Sequence, residues 1–204
     1  MNESRQSTPR GIWRGRIIFL IIVAIFIVPI IAAWWLFKNV DPGKPWGTSN
    51  AGTLINPPQP LSSFQVKNAN NADYFLENLQ GKWTMVFMPP SNCLEACRKN
   101  IYHMRQVWAG LGREAPRVRR LLVFRGEQQY AELAEFLLNY EGMDVVLDKD
   151  GLLIRQIQAR EPVTNTNIFL VDPLGNLMMA FPQTLDPRDV LKDVKKLLKI
   201  STIG

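Results

Sequence analysis

The chain has 204 residues, 47% hydrophobic and 21% charged, with two cysteines and one histidine. The apolar fraction excludes wholesale disorder, two cysteines exclude a disulfide-built miniprotein, and a single histidine excludes catalytic zinc sites that take two or three from the protein. The formal net charge is +6, and half of it sits in residues 1–16, where Arg5, Arg10, Arg14 and Arg16 face Glu3. The rest of the chain has no dense basic stripe, so nucleic acid is not an expected partner.

Residues 1–16 read as a cytoplasmic tail. From Ile17 to Phe37 there are 21 residues without a charge, interrupted only by Pro29. As a helix this stretch matches the roughly 30 Å hydrocarbon core of a bilayer. It is longer than a signal-peptide core, and Trp13, Trp34 and Trp35 stand where indole rings favour the interface. The arginines before it and the sparser charge after it place the amino terminus in the cytoplasm and the remainder outside. In a bacterium this means a single-pass inner-membrane protein with a periplasmic carboxy-terminal domain. Residues 38–60, rich in Pro, Gly, Asn and Ser, read as an extended periplasmic linker, and residues 61–204 as one folded domain.

Within that domain, Phe64–Val66 reads as a short strand and Ala72–Leu79 as a short helix. Trp83–Met88 is an apolar run that reads as a buried strand. The loop Pro89-Pro90-Ser91-Asn92 follows, with Ser91 or Asn92 the expected cap of a helix running to about Leu111. Arg119–Phe124 reads as a strand, Gln128–Tyr140 as a helix and Asp144–Leu147 as a strand. A turn is expected at Asp148-Lys149-Asp150-Gly151. Asn167–Val171 and Leu177–Phe181 bracket Asp172-Pro173-Leu174-Gly175-Asn176 as a hairpin. Asp186 or Thr184 caps a last helix, Pro187–Lys199. Helices alternating with strands predict an α/β fold with a mixed central sheet.

Cys93 and Cys97 form a C-x-x-x-C motif between strand and helix. At i and i+4 of a helix their side chains are expected to share one face, within reach of a disulfide or of one shared metal ion. A helix start, with Arg98 and Lys99 beside it, lowers thiol pKa and so serves both thiol exchange and metal ligation. Two thiolates select Cu(I). An inert bridge is the third reading, although a bridge this short constrains little of the unfolded chain. His103 lies about 240° around the helix from Cys97 and is expected to point away from the sulfurs. Met85, Met104, Met143, Met178 and Met179 read as core filler. Met88, which ends the strand delivering the cysteine loop, is carried as a further candidate copper ligand. The acidic turn at residues 148–151 lacks the glycine spacing and terminal glutamate of a calcium loop and reads as a solvated turn. Glu127, Glu132 and Glu135 read as the solvent face of a helix.

The amino-terminal span, the strand Gly81-Lys82-Trp83-Thr84-Met85-Val86-Phe87, the motif Cys93-Leu94-Glu95-Ala96-Cys97 and the late stretch Ile168-Phe169-Leu170-Val171-Asp172-Pro173-Leu174-Gly175 together resemble the Sco/SenC family. The resemblance implies a thioredoxin-like fold preceded by one transmembrane helix, and a role in assembling the copper centre of cytochrome c oxidase. It implies catalytic and Cu(I)-binding roles for Cys93 and Cys97, and a partner in the copper-binding subunit of a respiratory oxidase or another assembly factor. Family members carry a proline between the cysteines, where this chain has Leu94, Glu95 and Ala96. Their third copper ligand, a histidine, corresponds to about Thr164 within Val163-Thr164-Asn165-Thr166. The resemblance thus implies a dithiol that passes Cu(I) transiently or reduces a partner's disulfide; position alone, nearer the helix start, makes Cys93 the expected attacker and Cys97 the resolver. A general periplasmic thiol-disulfide oxidoreductase and a membrane-tethered scaffold with a structural disulfide are the competing readings.

Overall fold

The computed structural model describes residues 9–39, 50–158 and 168–203. The first part of the linker and the Thr164 position lie outside the described residues. The chain divides into two units, 1–49 and 50–204.

The described residues of the first unit form one helix, α1 (Pro9–Asn39), with Pro29 inside it. Residues Trp13–Leu36 are long and apolar enough to cross a membrane, and none of that stretch is buried against protein. A helix this apolar on all sides has no polar face to give to water, as a lipid-facing span requires.

The second unit is built on a mixed sheet. Its strands are β1 (Thr53–Pro60), β2 (Gln65–Asn68), β3 (Asp73–Phe75), β4 (Trp83–Phe87), β5 (Val118–Phe124), β6 (Asp144–Leu147), β7 (Ile168–Val171) and β8 (Asn176–Phe181). They lie in the order β1-β8-β7-β4-β5-β6-β2-β3. The central β4, β5 and β6 are parallel, while β7, β8 and β1 on one side and β2 and β3 on the other pair antiparallel. The helices are α2 (Leu76–Leu79), α3 (Glu95–Gly110), α4 (Glu127–Leu137), α5 (Leu152–Gln158) and α6 (Pro187–Ile200). Every residue of β4 is buried, as expected of a central strand covered on both faces.

Side chains alternate along the central strands into two cores. Trp83, Met85, Phe87, Leu122 and Phe124 pack with Ile101, Met104 and Val107 of α3 and with Val190, Val194 and Leu198 of α6. Val86, Leu121, Val123 and Phe169 pack on the other face with Leu153, Ile154 and Ile157 of α5.

Several expectations are corrected. Thr53–Pro60, assigned by composition to the linker, is an edge strand paired with β8. Its prolines are tolerated because an edge strand needs hydrogen-bond donors on one side only, and the register breaks between Leu54 and Gln59 where Pro57 and Pro58 sit. The helix expected at Ala72–Leu79 forms only in its second half, and a strand precedes it. Asp73–Phe75 pairs with Gln65–Lys67, Asp73 bonds both Gln65 and Lys67 at 2.9 Å, and only Leu76–Leu79 is helical. The helix α5 was not anticipated. Asp148 explains it: the carboxylate is buried and accepts the N–H groups of Leu152 and Ile154, each at 2.8 Å, so this is a helix-starting turn and not a solvated one.

Candidate functional site: a disulfide at a helix start

β4 ends in the loop Met88–Asn92, which delivers Cys93 to the start of α3. The loop is held at Pro89, whose carbonyl accepts from the Gln129 side-chain amide at 2.7 Å. The same side chain accepts the Arg125 N–H at 2.8 Å. Gln129 thus fastens the cysteine loop to α4. A glutamine on a helix gives no local signal of this role, and sequence reasoning missed it.

Cys93 and Cys97 are joined as a disulfide, with Cα atoms 5.1 Å apart. Cys97 lies in the first turn of α3, whereas Cys93 precedes the helix, so the two do not share a helical face as the spacing predicted. The cap is also corrected: neither Ser91 nor Asn92 caps α3. Leu94 takes the N-cap position in extended conformation, with no side-chain acceptor. The N–H groups of the first turn are thereby left without a side-chain partner, and they favour a thiolate when the bridge is reduced. Cys97 is buried in the α3-side core, Cys93 is half-buried, and Leu94 between them is exposed. Cys93 is the more exposed residue of the pair. Arg98, next to Cys97 in the chain, lies 5.3 Å over the Phe136 ring of α4.

The other candidates are not gathered here. Met88 is buried in the core on the opposite face of the sheet, with Val86 and Val123. His103 is half-buried on α3, and its pKa is lowered first by burial and then by Lys99, with Asp186 opposing. Met85, Met104 and Met179 are core, as expected. Among the described residues no group of three His, Cys, Asp or Glu side chains could hold a metal ion. The residues present therefore offer copper two sulfurs, and no third ligand among those described.

Two family models match the chain. Residues 83–201 match the transmembrane-like, thioredoxin-like C-terminal domain, and residues 9–39 match the transmembrane-like N-terminal domain. No curated protein sequence gives a significant match. Solved structures share the fold at low identity. The copper-bound ScoI of Bradyrhizobium japonicum is 17% identical with a TM-score of 0.54, covering 67% of this chain and 98% of its own. Copper-bound yeast Sco1 is 14% identical with a TM-score of 0.58, over 71% and 91%. The thioredoxin domain of a Bacteroides vulgatus thiol-disulfide oxidoreductase is 20% identical with a TM-score of 0.53, over 69% and 96%. The fold is thus the thioredoxin-like one that the resemblance to Sco/SenC proteins implied. With a family model spanning more than half its length, this chain belongs to the transmembrane-like proteins with a thioredoxin-like C-terminal domain.

Proposed function

We propose that the protein is a membrane-anchored thiol-disulfide exchange factor for assembly of the copper centre of cytochrome c oxidase, with Cys93 and Cys97 as its redox pair. The observation that carries the exchange chemistry is the bridge itself: a half-buried cysteine before a helix linked to a buried cysteine in its first turn. In the reduced chain, the Cys93 thiolate attacks a partner disulfide, and one partner sulfur leaves and takes up a proton. The Cys97 thiol then loses its proton and attacks the Cys93 sulfur, releasing the second partner thiol. The partner disulfide gains two electrons and two protons, and Cys93–Cys97 is left oxidised. An external dithiol reductant resets the pair. The oxidase target rests on the resemblance to Sco/SenC proteins. The arginines before the apolar helix support a periplasmic position for the domain in a bacterium.

Direct Cu(I) carriage by the two thiolates is the second reading, favoured by the copper present in the similarly folded ScoI and Sco1 structures. The lack of a third gathered ligand among the described residues favours exchange over carriage.

Trapping decides between them. In membranes carrying the full chain, Cys97→Ser should hold a partner as a mixed disulfide through Cys93, while Cys93→Ser should hold far less. An oxidase copper-binding subunit in the adduct supports the proposal. A broad range of unrelated proteins supports a general oxidoreductase. Normal oxidase assembly in the Cys93→Ser, Cys97→Ser double variant, with assembly lost when the whole protein is removed, would sink both and leave a scaffold.

A further inference from the structure

α6 carries a cationic surface that the redox chemistry does not use. Val190, Val194 and Leu198 seat the helix on the sheet. At about 100° per residue, Lys192, Lys195, Lys196 and Lys199 fall within an arc of roughly 100° on the opposite side. All four are exposed. Asp193 lies among them in sequence and Asp189 just before, which is why no basic stripe is legible there. Asp193, however, is turned inward and 2% exposed, leaving Asp189 as the acid of this helix that faces out. The helix dipole accounts for cations in the last turn but not for Lys192, two turns earlier. Beyond the lysines, Ile200 and Ile203 are exposed by 72% and 51%. Ammonium groups beside exposed aliphatic side chains suit a bilayer interface, where the charge meets headgroups and the apolar part goes deeper.

The covalent layout selects the occupant. The Asp193 carboxylate accepts the N–H groups of Ala51 and Gly52 at 2.8 and 2.9 Å. The folded unit therefore takes up the incoming chain at α6. Between Asn39, where α1 ends, and Asn50 the path is at most about 40 Å when fully stretched. A lipid surface within tether reach is present at an effective concentration that a diffusing acidic protein does not match. We propose that the lysine face of α6 docks on anionic phospholipid headgroups of the membrane that anchors the chain. This rests on α1 being a membrane anchor and is independent of the redox reading.

The test uses the full chain in phosphatidylcholine nanodiscs with or without phosphatidylglycerol, and reads the acetylation rate of each lysine by mass spectrometry. The rates at Lys192, Lys195 and Lys199 should fall several-fold with phosphatidylglycerol and recover in high salt, because the attraction is screened beyond about 8 Å at physiological ionic strength. Lys149, exposed, and Lys67, half-buried, both on other parts of the fold, should not change. Lys192→Gln with Lys195→Gln should remove the protection of Lys199. Persistence of that protection would overturn the electrostatic proposal in favour of the isoleucines. Equal rates in both discs would overturn the proposal outright. Protection by added polyglutamate but not by phosphatidylglycerol would also overturn it and make the surface a site for an acidic protein.

Discussion

Met88 and Cys97 are nine residues apart in the chain and are buried in different cores, one on each face of the central sheet. The alternation of β4 separates them: Phe87 faces the cysteine side, and Met88 continues on the side of Val86. Whatever Cu(I) affinity the reduced chain has is therefore expected to rest on the sulfurs of Cys93 and Cys97. In an anaerobic competition with a chromophoric chelator, Met88→Leu should leave that affinity within about twofold, because it preserves volume and removes no gathered donor. Cys97→Ser should lower it by about tenfold or more. A loss on Met88→Leu as large as that on Cys97→Ser would mean that the loop rearranges when reduced.

The bridge closes a loop with a sequence separation of 4. On the chain-entropy account so short a loop contributes roughly 2 kcal/mol, near the low end for disulfides. Reduction should then lower the melting temperature of the folded unit by no more than about 8 °C and leave it folded. Calorimetry of the full chain with and without reductant checks this. A much larger loss would indicate a structural bridge and argue against exchange chemistry.

Gly52 admits no side chain. A Cβ there would lie 2.5 Å from Cε1 of Phe181 and 2.8 Å from Sδ of Met179, both of which are buried. Gly52→Ala is expected to cost about 1–3 kcal/mol through this overpacking, read as a lower denaturant midpoint. Hydrogen exchange should report the loosening first at β1.

Tyr74 links β3 to the start of β5. Its phenol is buried, which pushes its pKa up from 10.0 to about 12; Arg119, 3.5 Å away, pulls the other way. The folded chain holds this proton longer than the unfolded chain does. Its contribution is complete below pH 10 and is lost as pH rises from 10 through about 12, at up to about 1.4 kcal/mol per pH unit. Stability measured by denaturant across that window should fall, and Tyr74→Phe should flatten the slope. An unchanged slope in the variant would show that other groups carry the alkaline transition.

Features written in local signals were legible in the sequence. The uncharged run of α1, the contiguous apolar strands β4 and β5, and the cap at Asp186 that opens α6 each depend on residues within a turn or two of one another. The hairpin between β7 and β8 belongs with them. Asp172 accepts the N–H of Leu174 at 2.9 Å and of Asn176 at 2.8 Å, and Gly175 supplies φ +90°. Spacing put the cysteines within reach of a bridge while leaving a shared metal ion open, and the alternation of helices with strands pointed to the α/β class.

What the tertiary structure decided lies where a segment's partner is far along the chain. The proline-rich stretch at β1 has no strand signal of its own and is a strand because β8 offers an edge and Asp193 grips its start. Asp73–Phe75 is extended because Gln65 and Lys67 stand opposite it. Asp148 and Asp193 look like solvent-facing acids in sequence, yet both are buried, each bound to two backbone amides. Composition counts charges without their direction, and a hydrogen-bond partner 141 residues away leaves no mark on local periodicity. The sequence by itself determined an apolar amino-terminal helix and a thioredoxin-like unit with one cysteine pair; only folding decided which cysteine stays the more exposed, which methionine is buried on the far face, and which face of the last helix keeps its charge.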